Sequence, residues 1–165
     1  MLVSRSAILP YSSAQMFAVV NDIEAYPQFL NWCKEVEVVE RASDQLSARM
    51  HIAYGKLAFA FTTRNTQIEN RQINLELIDG PFSSFSGEWL FKPLVDEADP
   101  LAEQTRKIEG CKISLQMDFN FERGLASVMM AKMFEKIATT QLDAFQQRAH
   151  QLYSVAGKTT LGGRS

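Results

Sequence analysis

Residues 111–154 read CKISLQMDFNFERGLASVMMAKMFEKIATTQLDAFQQRAHQLYS, and two different periods meet inside them. Cys111, Ile113, Leu115, Met117, Phe119 and Phe121 alternate with Lys112, Ser114, Gln116, Asp118, Asn120 and Glu122. A period of two turns one face of a strand to the core and the other to water. Beyond Gly124 the period changes. Ala126, Met130, Phe134, Ile137, Phe145, Ala149 and Leu152 recur at helical spacing, with Met129, Met133, Ala138 and Leu142 widening the stripe and Lys132, Lys136, Gln146 and Arg148 on a polar side. No Gly or Pro interrupts the chain before Gly157, so the segment reads as one long amphipathic helix. A helix of that length needs a broad apolar surface to lie on.

The upstream sequence supplies one. From Leu46 the positions Ala48, Met50, Ile52 and Tyr54 alternate with Ser47, Arg49 and His51. After the turn at Gly55-Lys56 the phase resumes at Leu57, Phe59, Phe61 and Thr63, with Thr62 and Arg64 opposite, which predicts a hairpin. Asn70-Arg71 marks the next turn before Ile73, Leu75 and Leu77. Asp79-Gly80-Pro81 then precedes Phe85, Gly87, Trp89 and Phe91, whose opposite face carries Ser84, Ser86 and Glu88. Val36 with Val38, and the first nine residues, suggest two more strands. The sum is about seven antiparallel strands, an α+β chain.

Between the first two strands lie two short helical stretches. Ser12 and Ser13 follow Pro10 and can cap a helix bearing Met16, Phe17, Val19 and Val20. Residues 22–36, DIEAYPQFLNWCKEV, then concentrate Tyr26, Phe29, Leu30 and Trp32 where Pro27 forbids a continuous helix. Each such ring carries roughly 150–250 Å² of surface, too much to leave in water, so the aromatics must pack on a neighbour. Residues 93–110 form an acidic, unpatterned insert read as a long hairpin loop, and residues 156–165 read as a flexible tail behind a single domain spanning 1–155.

Bulk properties narrow the function. The 165 residues are 46% apolar and 22% charged, with a net charge of −2, so nothing general draws the chain to DNA or anionic lipid. The apolar run 125–131 falls far short of the ~20 residues that span a bilayer. A secretory leader is not expected, since only Ala7-Ile8-Leu9 precedes Pro10. Cys33 and Cys111 lack a CxxC or His neighbour, which fits reduced thiols in a cytoplasmic protein without a metal site. Inward phases carry almost no acid or base. His51 falls on an outward phase, His150 lies near the end of the long helix, and GPFSSFSG is not a nucleophile elbow. An enzyme is not expected. The pattern itself does not separate a filled core from a lined cavity.

The order strand, two helices, antiparallel run and long C-terminal helix resembles the START-like helix-grip (Bet v 1-like) superfamily, in which a curved sheet wraps a long helix. SRSAILPYSSAQMFAVVNDIEAYPQFLNWC, FTTRN at 61–65 and DGPFSSFSGEWLFKPL at 79–94 are similar to the branch holding the coenzyme-Q-binding proteins and the bacterial RatA (ribosome association toxin) proteins, over residues 4–154. The RatA side is the nearer resemblance. It implies a cavity between sheet and helix, with ubiquinone or a related polyprenyl lipid as possible guest and no other cofactor, in support of respiratory quinone function. It also implies, as the alternative, binding of the large (50S) ribosomal subunit that blocks joining of the small one and so inhibits translation initiation. Transient membrane contact is compatible with the first.

The motif positions carried over are Tyr26, Pro27, Phe29, Leu30, Trp32, Cys33, Pro81, Phe82, Phe85, Trp89 and Phe91. The expected ligand contacts are these apart from Cys33 and Pro81, joined by Tyr54, Phe59, Phe61, Met117, Phe119, Met130, Phe134 and Ile137. Tyr26, Phe29, Leu30 and Trp32 would form a rim, and Tyr26, Tyr54 or Trp89 would give a quinone head its donor. For the ribosome, Arg49, Arg64 and Arg71 on outward phases would form a basic patch.

Overall fold

The computed structural model describes residues 1–94, 110–124 and 126–154. Seven strands form one antiparallel, curved sheet in the order β1-β7-β6-β5-β4-β3-β2. They are β1 (Leu2–Leu9), β2 (Cys33–Arg41), β3 (Gln45–Tyr54), β4 (Leu57–Ile68), β5 (Gln72–Asp79), β6 (Phe82–Pro93) and β7 (Cys111–Phe121). Helix α1 (Ser13–Asn21), a 3₁₀ turn (Ile23–Ala25) and the single-turn α2 (Tyr26–Phe29) follow β1, and the long α3 (Ser127–Ala149) ends in a π-helical turn (His150–Ser154). The 93–110 loop expected from the sequence falls mostly on residues 95–109, and the 156–165 tail wholly, outside the described residues.

Local chemistry explains the small elements. Ser12 caps α1 with its hydroxyl on the Gln15 amide at 3.0 Å, while the Gln15 side chain returns to the Ser12 amide at 2.9 Å. Pro27 enters α2 in the first turn, where its missing N–H is no loss. Gly80, with φ 151°, starts the turn into β6, and a Cβ there would stand 2.6 Å from that of Phe61.

The alternation in β7 holds at every residue from Cys111 to Asn120. Elsewhere bulges shift the phase, correcting several expectations. Val39 is the extra residue opposite β3 and Ile78 the extra residue opposite β4, so both are exposed. Ser47 and Thr62, read as outward, sit beside those bulges and are buried. Tyr54, read as inward, stands at the hairpin tip with its ring 39% exposed and the Lys136 ammonium 5.6 Å above it. In α3 the buried stripe begins only at Met133. Met129 is 62% exposed and Met130 half-buried, and Leu152, on the π turn, is exposed.

Candidate functional site

The space between α3 and the sheet is not uniform. At one end Phe59, Phe61, Phe82, Phe85, Phe119 and Phe121 surround Phe134 of α3. Phe82 stacks on Phe121 with centroids 4.4 Å apart, and Phe119 meets Phe134 edge-on at 4.8 Å. Offset and edge-to-face rings of this kind fill volume densely. This end is solid.

At the other end Phe145 of α3 meets Tyr26 at 5.2 Å, Trp89 at 5.3 Å and Phe29 at 5.6 Å, all edge-on. Between the two clusters a cavity of about 50 Å³ remains. Its wall is made by Val20, Asn21, Ile23, Tyr26 and Trp32 from the helical entry, by Ala48, Met50, Phe61, Thr63, Asn65, Ile73, Leu75, Phe85, Trp89 and Met117 from the sheet, and by Phe134, Ile137 and Gln141 from α3. Liquid water takes about 30 Å³ per molecule, so the space holds one or two waters and not an isoprenoid chain.

Among the described residues the wall contains no carboxylate, imidazole, amine or thiol. Its one titratable group is the Tyr26 phenol, which donates to the Val20 carbonyl. Burial, reinforced by Cys33 and Asp22, pushes its pKa far above the ordinary tyrosine value. Four amide or hydroxyl residues supply the polarity. The Thr63 hydroxyl donates to Asn65 Oδ1 at 2.8 Å, the Gln67 amide donates to Asn21 Oδ1, and Gln141 is only 6% exposed with no hydrogen-bond partner among the described residues.

The residues expected to contact a ligand thus divide. Tyr26, Trp32, Phe61, Phe85, Trp89, Met117, Phe134 and Ile137 line the cavity. Leu30, Phe82, Phe91 and Phe119 are buried in the surrounding core, and Phe59 packs in the phenylalanine cluster. Pro27 and Tyr54 are exposed, and Met130 is half-buried in the first turn of α3. Of the four residues expected at a rim, Tyr26 and Trp32 line the cavity and Leu30 is buried in the core. Phe29 faces a shallow outer groove, where the Arg148 guanidinium lies 5.1 Å above its ring and donates to Gln28 Oε1 at 3.1 Å. Asn21, Thr63, Asn65 and Gln141 also line the cavity and are not among the contacts expected from the sequence. Yet Thr63 and Asn65 continue the inward phase of β4, and Gln141 falls between Ile137 and Phe145 on the buried stripe.

Two other clusters are accounted for locally. Glu35, Glu37 and His51 place ligand atoms within 4.8 Å of one another, and the half-buried His51 has its Nε2 3.5 Å from Glu37. Arg49 and Arg64 lie 3.9 and 4.0 Å from Asp79 and Glu76, so that face is of mixed charge.

A model of the polyketide cyclase/dehydrase and lipid transport family matches residues 9–146. The chain belongs to this family. Among its relatives, the ribosome association toxin RatA of Pseudomonas aeruginosa is 37% identical over 92% of this chain and 96% of its own length. The protein of the same name from Escherichia coli K12 is 35% identical over 92% and 89%. A mitochondrial coenzyme Q-binding protein of Drosophila melanogaster is 24% identical over 90% of this chain and 58% of its own. In fold, the chain is similar to a START superfamily protein from Mycobacterium smegmatis, with TM-score 0.71 and 20% identity over 92% and 98% of the two chains. It is also similar to the Streptomyces Zhui aromatase/cyclase, with TM-score 0.73 and 17% identity over 92% and 94%. The likeness to these two structures agrees with the curved sheet and long helix expected from the sequence.

Proposed function

We propose that this protein is a non-enzymatic, RatA-type ribosome-association factor that binds the large ribosomal subunit and blocks its joining with the small one. The observation that carries the reading is similarity along nearly the whole of both chains to proteins named ribosome association toxin, at 37% and 35% identity. The absence of any acid or base other than a phenol in the cavity wall supports a binding role over catalysis. Because Arg49 and Arg64 already face carboxylates, phosphate contacts are expected from elsewhere on the surface. Sucrose-gradient profiles after overproduction test the proposal. Free subunits should accumulate at the expense of whole ribosomes, with an effect that weakens as salt rises. An unchanged profile would refute it.

A second reading concerns the interior: binding of a largely apolar ligand, with ubiquinone or a related polyprenyl lipid as the specific guest. The cavity lined by Tyr26, Trp32, Trp89 and Met117 favours it, as does the coenzyme Q-binding relative. At about 50 Å³ the cavity must widen to admit such a guest. Met50 and Met117 are the wall's most adaptable members, since an unbranched thioether changes rotamer at little cost. Native mass spectrometry of protein purified from its own cells should find an isoprenoid, and its repeated absence would remove this reading. The ribosome reading carries a cytoplasmic location with it. Among the described residues no helix is long and apolar enough to cross a membrane.

A further inference from the structure

We propose that Gln141, Asn65 and Asn21 form a head-group subsite that selects an uncharged ligand oxygen, a carbonyl or a hydroxyl, at the end of an otherwise apolar guest. The proposal rests on the interior-ligand reading above and specifies what that interior recognises.

Gln141 is the decisive residue. Its side chain is 94% buried (6% exposed), lines the cavity, and finds no hydrogen-bond partner among the described residues. Neither amide atom is fully sealed from the cavity space, and folding alone would be served as well by a leucine or methionine on that stripe between Ile137 and Phe145. Asn65 has its Oδ1 occupied by the Thr63 hydroxyl at 2.8 Å, which leaves the Nδ2 donor open. Asn21 has its Oδ1 occupied by Gln67, which again leaves Nδ2. The three amides therefore offer donors from α1, β4 and α3 around one space, and Gln141 offers an acceptor as well.

The same wall fixes the charge of the guest. With no lysine, arginine or histidine in it, an ionised carboxylate or phosphate would be buried without a counter-charge. A carboxamide set can satisfy a quinone carbonyl or an alcohol. It cannot repay the desolvation of an anion.

A matched isoprenoid series tests this: farnesol, its saturated hydrocarbon farnesane, and farnesoic acid held ionised at about pH 8. The two tryptophans of the chain, Trp32 and Trp89, both line the cavity, so intrinsic fluorescence reads occupancy directly. Farnesol should bind about tenfold or more tighter than either analogue, the discrimination expected of a site built to pair an oxygen. Gln141→Leu should bind farnesol no better than farnesane while keeping farnesane affinity, and its melting temperature should equal or exceed the parent's. Gln141→Met, closer in shape, guards against a packing fault in the leucine variant. Equal binding of farnesol and farnesane by the parent protein would overturn the subsite yet leave the interior-ligand reading standing. Failure of every probe to bind would overturn both, and a marked loss of stability in both variants would show that Gln141 serves the fold instead.

Discussion

The two parts of the interior, which meet at Phe134, solve opposite problems. Around Phe134 six phenylalanines from the sheet close on one another. Around Gln141 the same sheet and the same helix leave a gap and line it with amides. Both lie on one stripe of α3, so helical amphipathicity does not separate them. The side chains opposite do: flat rings tile against Phe134, whereas Thr63, Asn65 and the tapering indoles face Gln141. The lesson is that one layer of a core can be built for stability and the next for occupancy.

Phe134→Ala should expose that division most strongly. Removing the hub of the ring cluster is expected to cost about 3–5 kcal/mol, read from urea denaturation. The leucine variant at 141 should move stability the other way. Were Phe134→Ala nearly neutral, the solid end would not be the source of stability and the contrast would collapse.

Tyr26→Phe is expected to cost about 1–3 kcal/mol, because the Val20 carbonyl loses its buried donor. The same region sets the alkaline limit. Burial raises the Tyr26 phenol and lifts the Cys33 and Cys111 thiols from 9.0 to about 11. A raised acid favours the folded state only while it is protonated. The contribution is therefore complete below the unfolded thiol value near 9.0, declines as pH climbs towards about 11, and declines further once free tyrosine ionises near 10.0. Melting temperatures followed from neutral pH upward should fall more steeply for the parent than for Cys33→Ala.

Ser12→Ala removes half of the capping box that starts α1 and should cost about 1 kcal/mol. Arg148→Ala should be smallest in stability, about 0.5–1 kcal/mol, from loss of the contact over Phe29. Its use lies in the comparison: it loosens the aromatic entry without touching the phenylalanine end. Faster ligand uptake with little change in melting would place the gate there, and unchanged uptake would place it elsewhere.

Much of this architecture was legible in the chain. The alternation of β7 and the stripe of α3 announced a sheet covered by a helix, because burial on one face leaves a period that a reader can count. Trp89, Phe61 and Ile137 were placed on the cavity for the same reason. Ser47, Thr62 and Tyr54 were misplaced because bulges and the end of a hairpin break the count without leaving a mark in composition. Gln141 and Asn65 were inward by phase but polar by type, and a pattern gives a position without showing whether a partner or a void lies opposite. Met129, counted on the stripe of α3, is exposed, because helical spacing does not tell at which turn burial begins.

The strand order has one last mechanical consequence. β1 and β2 lie at opposite ends of it, so the wrapped sheet is a trough whose lips are never sewn together. A closed barrel could swell only by snapping ladder bonds. Here the lips can spread with every strand pairing intact, and the resistance comes from side chains of α1, α2 and α3 that must slide. Breathing of the trough is governed by grease and not by the hydrogen-bonded frame.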